Sequence, residues 1–233
     1  MPLAPHLSLD PRISIVGKDG AERGSFPVGR IICVGRNYAD HAREMGSDPE
    51  REPPFFFMKP ASCLSTDESI RYPSRTADLH HEVELVVAVG AGGRNLSPRD
   101  AMLGVVGCAV GLDLTRRDLQ AAMKASGRPW EAGKVFPGAA PCGALVQVGD
   151  GIPDARARIR LWLDGDEVQS GCIGEMIWSV PEILAEVSEL FELLPGDLIF
   201  TGTPSGVGPL QVGQRLLARV DGLPELHCLI ESE

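Results

Sequence analysis

Glu82 and Glu84 stand one residue apart in DLHHEVELVVAVG, residues 78–90, where the chain turns from polar to almost wholly apolar. In an extended strand, residues i and i+2 point to the same side, so the two carboxylates converge while Val83 and Leu85 point away. Like charges on the rim of an apolar strand repel unless a cation neutralises them. A hard divalent ion such as Mg2+ or Mn2+ takes oxygen ligands and would do so. The plain alternative is the solvent face of an amphipathic strand. Asp113 ends the apolar stretch GVVGCAVGLDLT and adds a third carboxylate, so a small oxygen-ligand site can form if the two segments meet. His80 and His81 have neither an HExxH spacing nor thiolate neighbours, and read as polar groups at the start of the strand or as partners behind the ligands.

NYADHAREMG, residues 37–46, holds a second constellation. His41 and Glu44 are three apart and share a face of a helical turn. A carboxylate on one imidazole nitrogen leaves the other as a base toward water; a plain surface pair is the competing reading. Lys59 follows FFFM and Lys134 sits in WEAGKVFPG, both outside the usual charged-surface setting. Either could meet a substrate carboxylate or a developing oxyanion, or lay its stem over the edge of the core. PGDLIFTGTPSGVG, residues 195–208, ends in small residues that leave backbone N–H groups and the Thr201 and Thr203 hydroxyls for an anion.

These residues need a scaffold, and the chain reads as mainly β with a few helices. Strands are expected at 30–35, 55–60, 82–89, 104–112, 144–148, 157–163 and 214–220, with LDGDEV as a hairpin turn. Helices are expected at NYADHAREMG with Asn37 as its N-cap, at SPRDAML with Ser97 as cap and Pro98 in first position, and at TRRDLQAAMKASG with Leu119, Ala122 and Met123 on one side. The clearest is 179–193, whose Ile183, Leu184, Val187, Leu190 and Phe191 form a core-facing stripe. Residues 1–25 read as a short N-terminal appendage and 26–233 as one catalytic domain. No GxGxxG follows a strand, and VGAGGRN lacks the GK[ST] ending of a phosphate loop, so it reads as a turn.

Composition narrows the partners. The 233 residues carry a formal net charge of −10, a field that repels nucleic acid and anionic membranes. The six cysteines lack metal-site spacing and read as free thiols, and MPLAPHLSLD has neither the basic start nor the long apolar core of a leader, so the expectation is a cytoplasmic protein. No apolar run reaches the length of a membrane helix.

Taken in order, CVGRNYADHAREM, FFFMKP, DLHHEVELVVAVG, VGLDLTRRDLQ, GRPWEAGKVF and the run from MIWSVPEI to TGTPSGVG resemble the fumarylacetoacetate hydrolase family, in particular its small bacterial fumarylpyruvate and acylpyruvate hydrolases. The resemblance implies a mixed α+β, predominantly β roll or sandwich with flanking helices, assembled as a homodimer. It implies Glu82, Glu84 and Asp113 as ligands of one Mg2+ or Mn2+ per subunit and His41 with Glu44 as the dyad that activates water. Lys134 becomes the catalytic lysine, and Arg36, Lys59, Gln120 and Thr203 the substrate-pocket residues.

The reaction implied is cleavage of a 2,4-diketo acid, with fumarylpyruvate of gentisate-type aromatic catabolism as the expected substrate. Oxaloacetate decarboxylation, or isomerase and decarboxylase steps on hydroxy-diene dioates, are the family alternatives. A non-catalytic binding protein on this fold is the alternative from a different class.

Overall fold

The computed structural model describes residues 11–39, 52–150 and 152–232. Among them, an eight-stranded sheet runs in the order Glu22–Pro27, Arg12–Val16, Leu145–Gln147, Val105–Leu112, Val83–Val89, Asp197–Phe200, Arg30–Gly35, Phe55–Pro60. Arg12–Val16 is parallel to Leu145–Gln147 and Asp197–Phe200 to Arg30–Gly35; the other neighbours are antiparallel. The expected appendage is, over its described part, the edge hairpin of this sheet, and Ile13 is fully buried in the core.

A five-stranded sheet packs against the centre of the first through Arg158–Leu163 and Arg215–Val220. The core lies between them, which explains why all seven residues of Val83–Val89 are buried and why, Glu84 apart, that strand is apolar throughout. LDGDEV makes the expected tight turn: Asp164 and Gly165 both have positive φ, 52° and 98°, and Leu163 pairs with Asp166. Mainly β architecture with a few short helices agrees with the expectation from sequence.

The helices hold two corrections. Val180–Phe191 begins at Ser179, where the Glu182 carboxylate accepts from the Ser179 N–H (2.9 Å) and hydroxyl (2.7 Å). Ser179→Ala is expected to lower stability by about 1 kcal/mol, measurable by urea unfolding. Ile183, Leu184 and Val187 are buried as expected, but Leu190 is 61% exposed and Phe191 37%, with Phe191 edge to face against Phe56. In Arg117–Ala125 the buried residue is Gln120, while Ala122 is exposed. That helix turns a polar side inward, because it covers a site rather than a core. Among the described residues no helix is long and apolar enough to cross a membrane.

Candidate active site

The register of two central strands builds the acidic cluster. Val83 pairs with Leu112 and Glu84 with Gly111, so Glu82 and Asp113 lie opposite each other just past the ladder, joined by Asp113 N–H to Glu82 O at 2.9 Å. The pleat returns Glu84 to the side of Glu82. Gly111, the partner of Glu84, lets Val86 and the Phe200 ring pack against the backbone: a Cβ there would lie 2.6 Å from Val86 Cγ2 and 2.9 Å from the Phe200 ring. One ligand oxygen from each of Glu82, Glu84 and Asp113 falls within 4.8 Å of the others, and all three residues are buried.

Three buried carboxylates need counter-charges, and the chain supplies them unevenly. Lys134 Nζ donates to Asp113 Oδ2 (2.6 Å), Thr115 Oγ1 (2.7 Å) and Glu82 Oε2 (2.9 Å). Burial pulls its pKa down, but the charges of Asp113 and Glu82 more than offset this and leave it raised. Arg117 pairs with Glu82 and donates to Gln120 Oε1. Glu84 receives the Gly202 N–H on Oε2 at 2.8 Å, a bond that Gly202 offers from a positive φ of 97°. Burial, with Asp113 and Glu82 adding to it, pushes the Glu84 pKa well above the carboxylate range. An all-oxygen donor set of three converging carboxylates, with no lysine or arginine bonded to Glu84 among the described residues, fits a hard divalent cation.

The cavity over the cluster has aromatic walls and cationic groups. Phe55, Phe57 and Trp130 line it, with Phe55 and Trp130 edge to face at 5.3 Å, and Arg36, Arg117, Lys124 and Lys134 line it with the three acids. Four cations against three carboxylates make its lining basic inside an acidic protein. Arg36 has φ of 56°, strained for a side-chain-bearing residue, and its guanidinium lies 5.6 Å from the Phe55 ring centre.

The remaining candidates divide. Gln120 and Thr203 line the same cavity. Lys59 lies behind the cluster: it is fully buried, 2.7 Å from Asp113 Oδ1, and donates to the carbonyls of Ala139 (2.7 Å) and Leu114 (3.0 Å). Its partner is therefore a carboxylate of the protein. The Thr201 hydroxyl donates to Leu85 O and is not turned to a ligand. The Asn37 side chain joins the backbone of Trp178 and Thr201, and the helix expected to follow it lies mostly outside the described residues. His41 and Glu44 lie outside the described residues.

The family follows from comparison with known sequences: the model described as fumarylacetoacetate (FAA) hydrolase C-terminal matches residues 30–231. The chain belongs to the fumarylacetoacetate hydrolase family. Its likeness to the crystal structure of fumarylpyruvate hydrolase from Pseudomonas aeruginosa, in complex with Mn2+ and pyruvate, covers 100% of both chains at 47% identity and a TM-score of 0.91. A mitochondrial oxaloacetate tautomerase of Arabidopsis thaliana is 39% identical over 87% of this chain and 91% of its own length. A mitochondrial oxaloacetate decarboxylase of Dictyostelium discoideum is 40% identical over 83% of this chain and 89% of its own length. In this family member, Glu82, Glu84 and Asp113 form a triad that could hold a divalent metal.

Two residues around the site escape sequence reasoning. Arg117 stands three residues before Gln120, a helical spacing that puts both on one face, yet nothing local names Glu82 as its partner. Gln169 is buried and joins His81, Val83, Thr203 and Pro204. A signal exists for it: the hairpin sets it opposite buried Leu161, an inward-facing position. His81 lies behind the triad in contact with Gln169, and His80 pairs with Asp78 at 2.9 Å.

Proposed function

We propose that this protein hydrolyses the C–C bond of an acylpyruvate, with fumarylpyruvate as substrate and fumarate and pyruvate as products. The observation that carries this reading is the buried triad with Lys134 against it, at the floor of a cavity whose lining is basic although the chain is acidic. Full-length likeness to a fumarylpyruvate hydrolase bound to Mn2+ and pyruvate supports it.

Glu82, Glu84 and Asp113 would hold Mg2+ or Mn2+, which supplies Lewis acidity to a 2-oxo acid and charge for the enolate that departs. Arg36 and Lys124 line the cavity and suit the far carboxylate of a dianion. His41, oriented by Glu44, takes a proton from the water that attacks C4. Lys134, whose three N–H groups are held by Glu82, Asp113 and Thr115, stabilises the resulting oxyanion through its charge. Gln120 has turned its Oε1 to Arg117, which leaves its amide nitrogen as a donor to the same oxygen. The C3–C4 bond then breaks, the C4 fragment leaves as fumarate, and the pyruvate enolate takes up a proton at C3.

A second reading, keto–enol exchange or decarboxylation of oxaloacetate, is favoured by the two oxaloacetate enzymes among the relatives. Both reactions use the 2-oxo acid end and an enolate, and neither consumes water. The test is kcat/KM for fumarylpyruvate, acetylpyruvate, maleylpyruvate and oxaloacetate with Mn2+. The expected order puts fumarylpyruvate first by about tenfold or more, the discrimination one added polar contact can give; oxaloacetate ahead of every acylpyruvate sinks the hydrolase reading.

A further inference from the structure

Gln169 reaches the site from behind, from the strand Asp166–Cys172 of the second sheet, and is 1% exposed. Its amide is saturated. Oε1 receives the Val83 N–H at 3.1 Å and lies 2.9 Å from His81 Nδ1; Nε2 lies 2.9 Å from both Thr203 Oγ1 and Pro204 O. Two backbone partners fix which end is which: the Val83 N–H can only meet an oxygen, and the Pro204 carbonyl can only meet a nitrogen.

Two consequences follow from that orientation. His81 must carry a hydrogen on Nδ1, because it faces an acceptor. Thr203 Oγ1 must accept from Nε2, so its own hydrogen points elsewhere. Among the described residues no acceptor takes that hydrogen, and Thr203 lines the cavity.

We propose that Gln169 is a positioning residue, which makes the Thr203 hydroxyl a donor into the cavity for a substrate oxygen while pinning Val83 between Glu82 and Glu84. The identity of the substrate rests on the reading above; the orientation of the amide and hydroxyl does not.

Gln169→Glu keeps an acceptor for Val83 and His81 but puts an oxygen where Thr203 needs a donor, so the hydroxyl turns back toward residue 169. With Mn2+ present, it is expected to raise KM for fumarylpyruvate about tenfold, with kcat changed less than about threefold. Thr203→Val should do the same, and the double variant should be within about twofold of either single one. Losses that multiply in the double variant would mean a separate structural role and overturn the proposal. Should Gln169→Glu not fold, the unaltered protein still decides: long-range 1H–15N spectra are expected to put a hydrogen on His81 Nδ1, and a hydrogen on Nε2 alone overturns the assignment. Should the protein turn over oxaloacetate and no acylpyruvate, the hydrolase reading fails without touching Gln169. Calorimetry of pyruvate binding to the Mn2+-loaded protein then tests it, with about tenfold weaker binding expected in Gln169→Glu and equal binding overturning it.

Discussion

Glu84→Gln is expected to abolish divalent-ion binding and to cut turnover on the order of a thousandfold, while leaving the metal-free protein at least as stable as the unaltered one. The two halves have one cause. Glu84 is the member of the triad with no lysine or arginine bonded to its carboxylate among the described residues, and burial with Asp113 and Glu82 beside it holds its pKa well above the carboxylate range. A folded-state pKa above the unfolded one means that the native protein binds the proton more tightly. Stability is then fully present below the ordinary carboxylate range and is lost as pH rises through Glu84's own pKa. An amide removes that decline, and it also removes one anionic ligand. Thermal melts in chelator at about pH 5 and about pH 8 should converge in Glu84→Gln relative to the unaltered protein, and calorimetry with Mn2+ should show no binding. Unchanged Mn2+ affinity in the variant would take Glu84 out of the metal site.

Lys134→Met carries the second large effect. In the proposed reaction kcat should fall about a hundredfold to a thousandfold, the loss that follows removal of one group that stabilises the oxyanion. The same change strips Glu82 and Asp113 of an ammonium at 2.9 and 2.6 Å, with all three groups almost fully buried. Arg117 stays on Glu82 and Lys59 on Asp113, so the metal-free variant should unfold at lower urea, but by less than the about 3–5 kcal/mol that a fully unpaired buried charge costs. Mn2+ should recover part of that stability, because it neutralises the same carboxylates, without recovering kcat. A variant with kcat within tenfold of the unaltered protein would show that the lysine only balances charge.

The acidic triad is legible in the sequence because its signal is local. Period-two geometry makes neighbours of Glu82 and Glu84, and the strand register then brings Asp113 opposite Glu82. Lys59 shows where such reading stops. A lysine after four apolar residues has to meet an anion, but sequence does not say that the anion is Asp113 of the same chain. Leu190 and Phe191 fit the apolar stripe of their helix, yet periodicity does not show which of its turns the rest of the fold covers. Gln169 and His81 are 88 residues apart, and their contact depends on how two sheets stack, which is a property of the whole fold. The edge hairpin is hidden for a related reason: the first four residues of Glu22–Pro27 are all exposed, so no alternation marks the strand.

The most direct test of the proposed reaction is a product balance. Protein loaded with Mn2+ and given fumarylpyruvate in H2-18O should release pyruvate and fumarate in equal amounts, with one 18O in a fumarate carboxylate, and chelator should stop both. Consumption of oxaloacetate, by tautomerisation or loss of CO2, with fumarylpyruvate left intact would contradict it.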